Sequence, residues 1–398
     1  MDITIHPRKL SGHLKIIPSK SQAHRLLICA AFADSITTLI CPDTNKDIEA
    51  TAACLRAIGA KITRIEDGYL VEPIAQIPSN AVLPCSESGS TLRFMLPIAG
   101  ALGIDAVFQL EGRLPERPLS PLWEEMERMG CSLNRPDRSS IRCSGKLHSG
   151  CYSIDGSVSS QFITGLLFAM ALMDGSSELT ITGKIESKPY IRMTQRALEI
   201  FGVDTREYRI NSQLPFRSPG KLLVEGDWSN GAFWLAANAI GNQIDVIGLN
   251  MSSGQGDRAI SDIVDTTPFP SGIDAADIPD LVPILSVVAA ATSGCNFRNI
   301  GRLRLKESDR VATVEAMLRE LGTETASTVD SLTISPAKFS SCTIDSAGDH
   351  RIAMSAAIAA TVANGPVTIS GAECVEKSYP SFWDAYKALG GNYEQHLR

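Results

Sequence analysis

One pattern returns six times along this 398-residue chain: a polar start is followed at once by a helix of small and apolar residues. The copies are SKSQAHRLLICAAFA, SGSTLRFMLPIAGALG, SSQFITGLLFAMALMDG, SNGAFWLAANAIG, IPDLVPILSVVAAATSG and GDHRIAMSAAIAATVANG. Counted from Lys20, Gly89, Ser160, Ser229, Pro279 and Asp349, they are 69, 71, 69, 50 and 70 residues apart. Self-similarity at a nearly fixed period indicates a fold built from repeated modules.

A second family of helices alternates with the first, and its members are amphipathic and closed by a glycine. They are predicted at 48–59, 122–130, 191–202, 310–322 and 382–390. The missing member belongs near 257–265, inside the step of 50 residues, so we expect the fourth repeat to be trimmed. The segments 60–73, 131–143 and 323–334 alternate in polarity and predict strands and hairpins. Each repeat is therefore a mixed α/β module.

The length of the chain favours two domains, and six modules divide naturally into three for each. The boundary between the domains is expected near Gly226, where a predicted strand is again followed by the start of a helix. The apolar helices must be interior and the amphipathic ones exterior. The prediction is an α/β fold of two domains, each a wheel of buried helices whose positive N-terminal ends face the opposite domain.

Charge and composition narrow the class of ligand. The net charge of -7 leaves no basic footprint for nucleic acid, so a local cluster of Lys and Arg favours a small anion instead. The N-terminus has no signal-peptide pattern, and the apolar runs 162–173 and 281–291 are shorter than the roughly 20 residues that a bilayer requires. Ten cysteines are scattered without metal spacing, which predicts buried reduced thiols in the cytoplasm.

The densest charged stretch is residues 304–310, with five charged groups in seven positions. Residues 300–306 alternate in a way that predicts the end of a strand, and helical spacing begins at Ser308. Lys306 and Arg310 are then expected on one helix face, with Glu307 between them held ionised for acid/base chemistry. The alternative is a solvated, salt-bridged start of a helix.

Polar residues gather at the starts of the repeats. In the first half these are Lys20, Ser21, Arg25, Gly89, Ser90, Arg93, Arg117, Ser159, Ser160, Gln161, Ser187 and Tyr190. In the second half they are Asp280, Lys306, Glu307, Arg310, Asp349, His350, Arg351 and Lys377. Carboxylates and a lysine among many cations fit a site that holds two anionic substrates and moves a proton between them. Arg93, His24 and His350 are expected to be structural.

Eight short motifs together resemble the 5-enolpyruvylshikimate-3-phosphate synthase family. They are Pro18-Ser19-Lys20-Ser21 with Arg25, Glu87-Ser88-Gly89-Ser90-Thr91-Leu92-Arg93, Arg117-Pro118, Ser159-Ser160-Gln161, Ser187-Lys188-Pro189-Tyr190, Ile278-Pro279-Asp280, Lys306-Glu307-Ser308-Asp309-Arg310, and Asp349-His350-Arg351 with Lys377-Ser378-Tyr379-Pro380. The resemblance implies an inside-out α/β fold of two domains with three repeats each, which close on the substrates. It also implies that the chain passes from one domain to the other near Pro18 and again near Gly226. The domains are then 18–225 and 1–17 plus 226–398.

The activity that the resemblance implies is transfer of the carboxyvinyl group of phosphoenolpyruvate to the 5-hydroxyl of shikimate 3-phosphate, with release of phosphate. Transfer passes through a tetrahedral intermediate: C3 of the enol gains a proton while the hydroxyl loses one, and both transfers later reverse. This step of aromatic amino-acid biosynthesis implies a cytoplasmic monomer without metal or cofactor. No nucleic-acid or membrane partner is expected.

Residue by residue, the resemblance divides the site between the two substrates. Shikimate 3-phosphate would be held by Lys20, Ser21, Arg25, Ser159, Ser160, Gln161, Ser187, Asp280 and Lys306. Phosphoenolpyruvate would be surrounded by Lys20, Gly89, Arg117, Gln161, Arg310, Arg351 and Lys377. Lys20, Asp280 and Glu307 are the catalytic candidates for proton transfer, and which residue performs which transfer stays open.

One residue departs from the family pattern: Arg302 stands four positions before Lys306, where relatives commonly have an amide, which puts one contact to the sugar phosphate in doubt. The nearest rival transfers the same group to UDP-N-acetylglucosamine, but that family has Asn after its lysine and a reactive Cys in its mobile loop. Here Ser21 follows Lys20, and residues 111–118 contain no Cys. A non-catalytic anion-binding scaffold is the other alternative, and Asp280 and Glu307 speak against it.

Overall fold

Each sequence repeat corresponds to one structural module in the computed structural model, which describes residues 1–211 and 216–396. A module consists of a buried helix, a strand and a second helix. Within the described residues, three of the six modules add a hairpin before the strand that leads into the next module. The buried helices are α1 Lys20–Ala31, α3 Gly89–Leu102, α5 Ser160–Leu172, α7 Trp228–Ala239, α9 Val282–Ala291 and α11 His350–Ala360. The second helices are α2 Lys46–Ala57, α4 Leu122–Arg128, α6 Lys188–Ile200, α8 Ala259–Val264, α10 Arg310–Glu320 and α12 Phe382–Ala388. The predicted α/β class is confirmed.

The strands form small sheets between the helices. In chain order they are β1 Asp2–His6, β2 Ser11–Lys15, β3 Thr37–Ile40, β4 Lys61–Ile65, β5 Gly68–Glu72, β6 Asn80–Ser86, β7 Asp105–Leu110, β8 Cys131–Asn134, β9 Ser140–Gly145, β10 Cys151–Asp155, β11 Ser176–Thr182, β12 Arg209–Asn211, β13 Lys221–Leu223, β14 Gln243–Ile247, β15 Gly272–Asp274, β16 Cys295–Arg298, β17 Thr325–Ser327, β18 Ser331–Ile334, β19 Cys342–Asp345, β20 Val367–Ser370 and β21 Asn392–His396.

The chain divides into two units, each with its own hydrophobic core. The continuous unit is Pro18–Val224, and its sheets have the strand orders β13-β3-β5-β4, β6-β7-β9-β8 and β10-β11-β12. The discontinuous unit is Met1–Ile17 with Glu225–Arg398, and its sheets are β14-β2, β15-β16-β18-β17 and β19-β20-β1-β21. Helices α1, α3 and α5 are buried in the first unit, and α7, α9 and α11 in the second.

Parallel strand pairs explain why the buried helices are buried. The strand before such a helix pairs in parallel with the strand after it, as β6 with β7 around α3 and β15 with β16 around α9. A parallel pair requires a crossover connection, and here the apolar helix is that crossover. Polar caps define where these helices begin: the side chains of Ser19, Ser88 and Ser159 accept from backbone N–H groups of the first turn.

The strands that flank α1 and α7 exchange their pairing partners. β2 precedes α1 and β3 follows it, yet β3 pairs with β13. β13 precedes α7 and β14 follows it, yet β14 pairs with β2. Each unit thus completes its parallel pairs from its own residues, since β3 and β13 both belong to the continuous unit and β2 and β14 both belong to the discontinuous unit.

The predicted strand end at 300–306 is wrong. Strand β16 ends at Arg298, and Gly301–Leu305 is a 3-10 turn. Ile300 and Leu303 are both fully buried three positions apart, which is the repeat of a 3-10 turn and not of a strand. Helix α10 begins at Arg310 and is capped by Asp309, so Lys306 lies before the helix and does not share a helix face with Arg310.

The fourth repeat is trimmed in a different place from the one predicted. The helix expected to be missing near 257–265 is present as the short α8. What the repeat lacks is the hairpin, since only residues 265–271 separate α8 from β15, and all of these are described. The expectation of buried thiols is also wrong for Cys151, which is exposed because it lies on the outward face of β10.

Candidate active site

Lys20, the first residue of α1, forms an ion pair that the sequence did not indicate. Its Nζ lies 2.9 Å from Oδ2 of Asp47, the second residue of α2. Both side chains are largely shielded from solvent, with exposed fractions of 16% and 9%. A partly buried lysine whose ammonium is fixed by a carboxylate can donate a proton or bind an anion from a defined position.

Arg25 joins α1 to α6 from inside the continuous unit. Its Nε donates to Thr194 Oγ1 at 2.8 Å, and its Nη groups donate to the carbonyls of Ser21 at 2.6 Å and Tyr190 at 3.1 Å. Burial lowers the pKa of Arg25 to about 10, so the guanidinium is still charged at neutral pH. At the start of α6, Ser187 is buried and has a φ of 53°, a backbone conformation that non-glycine residues rarely adopt and that is enriched at functional sites.

Gly89 opens α3 where two arginines approach its backbone. A Cβ atom at this position would lie 2.6 Å from Nη1 of both Arg93 and Arg117, so only glycine fits without displacing them. Arg93 donates to Gln161 Oε1 at 3.1 Å and to the Pro118 carbonyl at 3.0 Å. Arg93 therefore braces the loop that carries Arg117 and the amide of Gln161.

The start of α5 presents backbone donors and a fixed amide. Ser159 caps the helix by accepting from Gln161 N–H at 3.3 Å, and Ser160 is buried. The Gln161 Nε2 donates to Ser90 Oγ at 2.9 Å, which links the first turns of α5 and α3. Free N–H groups at such helix starts favour anions, and the cations nearby reinforce this preference. The first turns of α3 and α5 are thus suited to receive negative charge.

Arg310 is the centre of the charged cluster in the discontinuous unit. It is 1% exposed and donates to Asp280 Oδ1 at 2.9 Å, to Glu307 Oε2 at 2.6 Å and to Asp349 Oδ2 at 2.9 Å. Burial disfavours its charge, but the three carboxylates outweigh burial and raise its pKa. Asp349 also caps α11 and accepts from Ser308 Oγ at 3.0 Å.

Asp280 meets two further cations. Arg351 donates to Asp280 Oδ2 at 3.1 Å and to its backbone carbonyl at 3.2 Å, and Lys306 Nζ lies 3.6 Å from Oδ1. Burial would raise the pKa of Asp280, but Arg351, Lys306 and Arg310 hold it well below its usual range. Burial lowers the pKa of Lys306 to about 8. The negative charge of Asp280 opposes this decrease, and the positive charge of Arg302 contributes to it.

The remaining predicted residues take less central positions. Lys377 ends the 3-10 turn Ala372–Lys377, which packs on α11. His24 Nδ1 is 2.7 Å from Thr51 Oγ1, and burial lowers the pKa of this imidazole to about 3. A histidine that stays neutral inside the core is structural, as expected for this residue.

The described ranges contain neither a candidate metal-binding cluster nor a candidate membrane-spanning helix. Within residues 1–211 and 216–396, no group of three or more His, Cys, Asp or Glu side chains is arranged to hold a metal ion. Over the same ranges, no helix combines the length and the apolar character that crossing a bilayer requires.

Comparison with known proteins supplies an independent line of evidence. Residues 5–386 match the family described as EPSP synthase (3-phosphoshikimate 1-carboxyvinyltransferase). Two relatives named 3-phosphoshikimate 1-carboxyvinyltransferase, from Clostridium beijerinckii and Clostridium acetobutylicum, are each 37% identical and cover 99% of this chain and 98% of their own.

Solved structures agree on the fold. An EPSP synthase from Acinetobacter baumannii superposes with a TM-score of 0.79 at 22% identity, covering 99% of this chain and 100% of its own. The enolpyruvyl transferase NikO from Streptomyces tendae reaches 0.75 at 18% identity, covering 100% and 99%. Since these identities are low, the structures support the fold alone, and the family assignment rests on the sequence matches. The chain belongs to the EPSP synthase (3-phosphoshikimate 1-carboxyvinyltransferase) family.

Proposed function

We propose that this chain transfers the enolpyruvyl group of phosphoenolpyruvate to the 5-hydroxyl of shikimate 3-phosphate and releases phosphate. The observation that carries the proposal is the cluster around Asp280, where one carboxylate is held by Lys306, Arg310 and Arg351. A scaffold that only binds anions gains nothing from carboxylates among its cations, whereas proton transfer requires such groups. The Clostridium relatives carry the name of the same reaction.

Shikimate 3-phosphate is assigned to two sets of residues. The first set is Lys20, Ser21, Arg25, Ser159, Ser160, Gln161 and Ser187, and the second set is Asp280 and Lys306. The first set offers helix N–H groups and hydroxyls for a phosphate, in keeping with the cap at Ser159. Lys306 adds a cation, and Asp280 is the acceptor for a sugar hydroxyl.

Phosphoenolpyruvate is assigned to Lys20, Gly89, Arg117, Gln161, Arg310, Arg351 and Lys377. Three of these are arginines, whose planar guanidinium groups bind carboxylate and phosphate with two parallel hydrogen bonds. The absence of a side chain at Gly89 leaves room for Arg117 beside the start of α3. Charge that develops on the reacting phosphate and carboxylate is stabilised by these cations.

The proton transfers fall to Lys20, Asp280 and Glu307. Asp280 is assigned both to shikimate 3-phosphate and to catalysis, and the two roles agree if its carboxylate takes the proton of the 5-hydroxyl. The hydroxyl oxygen then bonds to C2 of phosphoenolpyruvate, and the electron pair of the C2–C3 double bond takes a proton at C3 from Lys20 or Glu307. In the second step Lys20 or Glu307 takes a proton back from C3, the electron pair of that C–H bond re-forms the C2–C3 double bond, and the phosphate leaves C2 with the electron pair of its C–O bond.

The setting proposed for this reaction is a cytoplasmic monomer that requires neither a metal nor a cofactor, in the pathway to aromatic amino acids. The charged groups already described supply both acid/base and anion-binding chemistry.

Phosphate release tests the reaction directly. Purified protein should release phosphate from phosphoenolpyruvate when shikimate 3-phosphate is added, and not with shikimate or UDP-N-acetylglucosamine. The Asp280→Asn variant, prepared in the same way, controls for contaminating activity. Turnover with UDP-N-acetylglucosamine in place of shikimate 3-phosphate would show that the acceptor is wrong.

A further inference from the structure

A buried carboxylate lies in the trimmed fourth repeat, in a part of the chain to which no role was assigned. Asp257 occupies the 3-10 turn Gly256–Arg258 just before α8, and it is 1% exposed. The Ser229 hydroxyl, in the first turn of α7, donates to Asp257 Oδ2. Acidic side chains are almost never buried to this extent without a partner or a purpose.

The backbone around Asp257 is tied to the start of α7 by side chains from the preceding loop. The Gln255 Nε2 donates to the Gly226 carbonyl at 2.9 Å, and its Oε1 accepts from Trp228 N–H at 3.2 Å. Ser253 Oγ donates to Glu225 Oε2 at 2.6 Å. These hydrogen bonds hold the turn in place, so the position of the Asp257 carboxylate is well defined.

Electrostatic interactions connect Asp257 with the charged cluster of the discontinuous unit. Its turn and the turn Pro279–Leu281, which carries Asp280, both pack on α7. The charged groups that act on Asp257 are Asp280 from that turn, Arg351 from α11 and Asp227, the cap of α7. Burial and then the charge of Asp280 raise the pKa of Asp257 to about 6, while Arg351 and the hydrogen bond from Ser229 oppose the rise.

The cations around Asp280 create a difficulty for the proton transfer assigned to it. Lys306, Arg310 and Arg351 favour its ionised form so strongly that it is a weak base for an alcohol proton. A second negative charge nearby raises the proton affinity of Asp280, whereas the cations lower it. Because the interaction between two titrating groups is reciprocal, an ionised Asp257 makes Asp280 a stronger base by the amount that Asp280 raises Asp257.

We propose that Asp257 is a positioning residue for the reaction: its buried, ionised carboxylate offsets the cations around Asp280 and sustains the basicity of Asp280 toward the substrate hydroxyl. This inference rests on the proposed function, because it requires that Asp280 accept that proton. Asp257 itself touches neither substrate nor the reacting atoms. The fourth repeat has lost its hairpin and keeps the turn that supplies this charge.

The dependence of kcat on pH is the readout that a merely structural role would not change. Asp257 is protonated below about pH 6 and ionised above it, so kcat of the wild-type protein should fall as the pH drops through this value. Asp257→Asn is nearly isosteric and cannot ionise. Its plateau value of kcat should be about tenfold lower, the effect of roughly one pKa unit on a proton transfer, and the break near pH 6 should disappear. Affinity for shikimate 3-phosphate should change little.

Two further variants complete the test. Asp262→Asn, in the same repeat but with a side chain 72% exposed, is the matched control and should keep the wild-type profile. Ser229→Ala removes a hydrogen bond that favours the ionised form, so it should move the break to higher pH. This second variant keeps the idea testable if Asp257→Asn fails to fold, which circular dichroism would reveal.

The outcomes separate this inference from the proposed function. If Asp257→Asn keeps the wild-type plateau and break, or if Ser229→Ala leaves the break where it was, the role of Asp257 is wrong. If Asp280→Asn keeps wild-type kcat, the proton transfer assigned to Asp280 is wrong, and the inference fails with it. Loss of activity in Asp280→Asn together with a lost break in Asp257→Asn supports both.

Discussion

Arg310 carries more of the candidate site than any other single side chain, because three carboxylates share its guanidinium. An entering anion must compete with these carboxylates for the same N–H groups. The anion succeeds only where the carboxylates keep other partners, as Asp280 does with Arg351 and Asp349 with Ser308. The ligand therefore enters a cluster whose internal charges are already balanced and does not leave a buried carboxylate unpaired.

Glu307 is the carboxylate of this cluster whose role is easiest to isolate by mutation. Glu307 accepts a hydrogen bond from Arg310 Nη2 at 2.6 Å. Glu307→Gln keeps the shape of the side chain and an oxygen that can accept this bond, but the amide cannot transfer a proton. We expect kcat to fall by roughly 10²–10⁴, the usual contribution of a positioned acid or base, with a modest change in KM. Steady-state kinetics measure both values.

The matched control is Glu320→Gln, which makes the same chemical change at the exposed C-terminal end of α10. It should leave kcat unchanged. If Glu307→Gln stays within a few-fold of the wild-type rate, Glu307 is only the ion-pair partner of Arg310.

At the scale of elements, α3 and α5 cross where Gly165 lies. A Cβ atom there would be 2.1 Å from the Arg93 carbonyl, so the two helix backbones are in direct contact. Gly165→Ala should force the helices apart and destabilise the protein by about 1–3 kcal/mol, the usual effect of overpacking. For a unit of this size that corresponds to roughly 2–4 °C in Tm per kcal/mol, which scanning calorimetry resolves.

Gly254→Ala is the control for that prediction, because nothing lies within 4 Å of a Cβ atom at this exposed position. Its Tm should match that of the wild-type protein. An unchanged Tm in Gly165→Ala would mean that the helix crossing can relax without strain.

Helices and hairpins were predictable because their signals are local. Small apolar residues after a polar cap predicted α5, and alternation predicted the hairpin of β8 and β9. The 3-10 turn Gly301–Leu305 was not predictable in this way. Its charged residues alternate with apolar ones by accident of spacing, and only tertiary packing shows that Ile300 and Leu303 are the buried pair.

Short motifs predicted most residues of the candidate site, and two carboxylates that lie outside these motifs show the limit of this approach. Asp47 contacts Lys20 across 27 positions, and Asp257 is held by Ser229 across 28. Neither aspartate stands at a repeat start, where the predicted site residues lie. A contact between separate elements of one module leaves no periodic trace in the sequence, so only the fold reveals it.

At the scale of the whole molecule, Lys20 and Gln161 are assigned to both substrates. Whichever substrate binds first orders these side chains for the second, so the second loses less conformational entropy. We expect shikimate 3-phosphate to tighten the binding of a non-reacting phosphoenolpyruvate analogue by roughly 5–150-fold, the usual range for coupled sites. Titration calorimetry with and without shikimate 3-phosphate measures this factor.

Shikimate without its phosphate is the control ligand, since it lacks the anion that the continuous unit is proposed to hold, and it should produce a smaller effect. Equal affinities for the analogue under all three conditions would show that the two substrates bind independently.

The discontinuity of the second unit also determines the order in which the chain can fold during synthesis. Every strand of the continuous unit lies within Pro18–Val224, so this unit can fold while the rest is being made. β1 leaves the ribosome before the strands with which it pairs, since Ile5 pairs with Val367, which follows 362 positions later. At about 5–20 residues per second, that partner arrives roughly 20–70 s afterwards. The residues of β1 are therefore translated before most of this unit but are among the last to join a sheet, and until then they remain on the nascent chain as a strand without a partner.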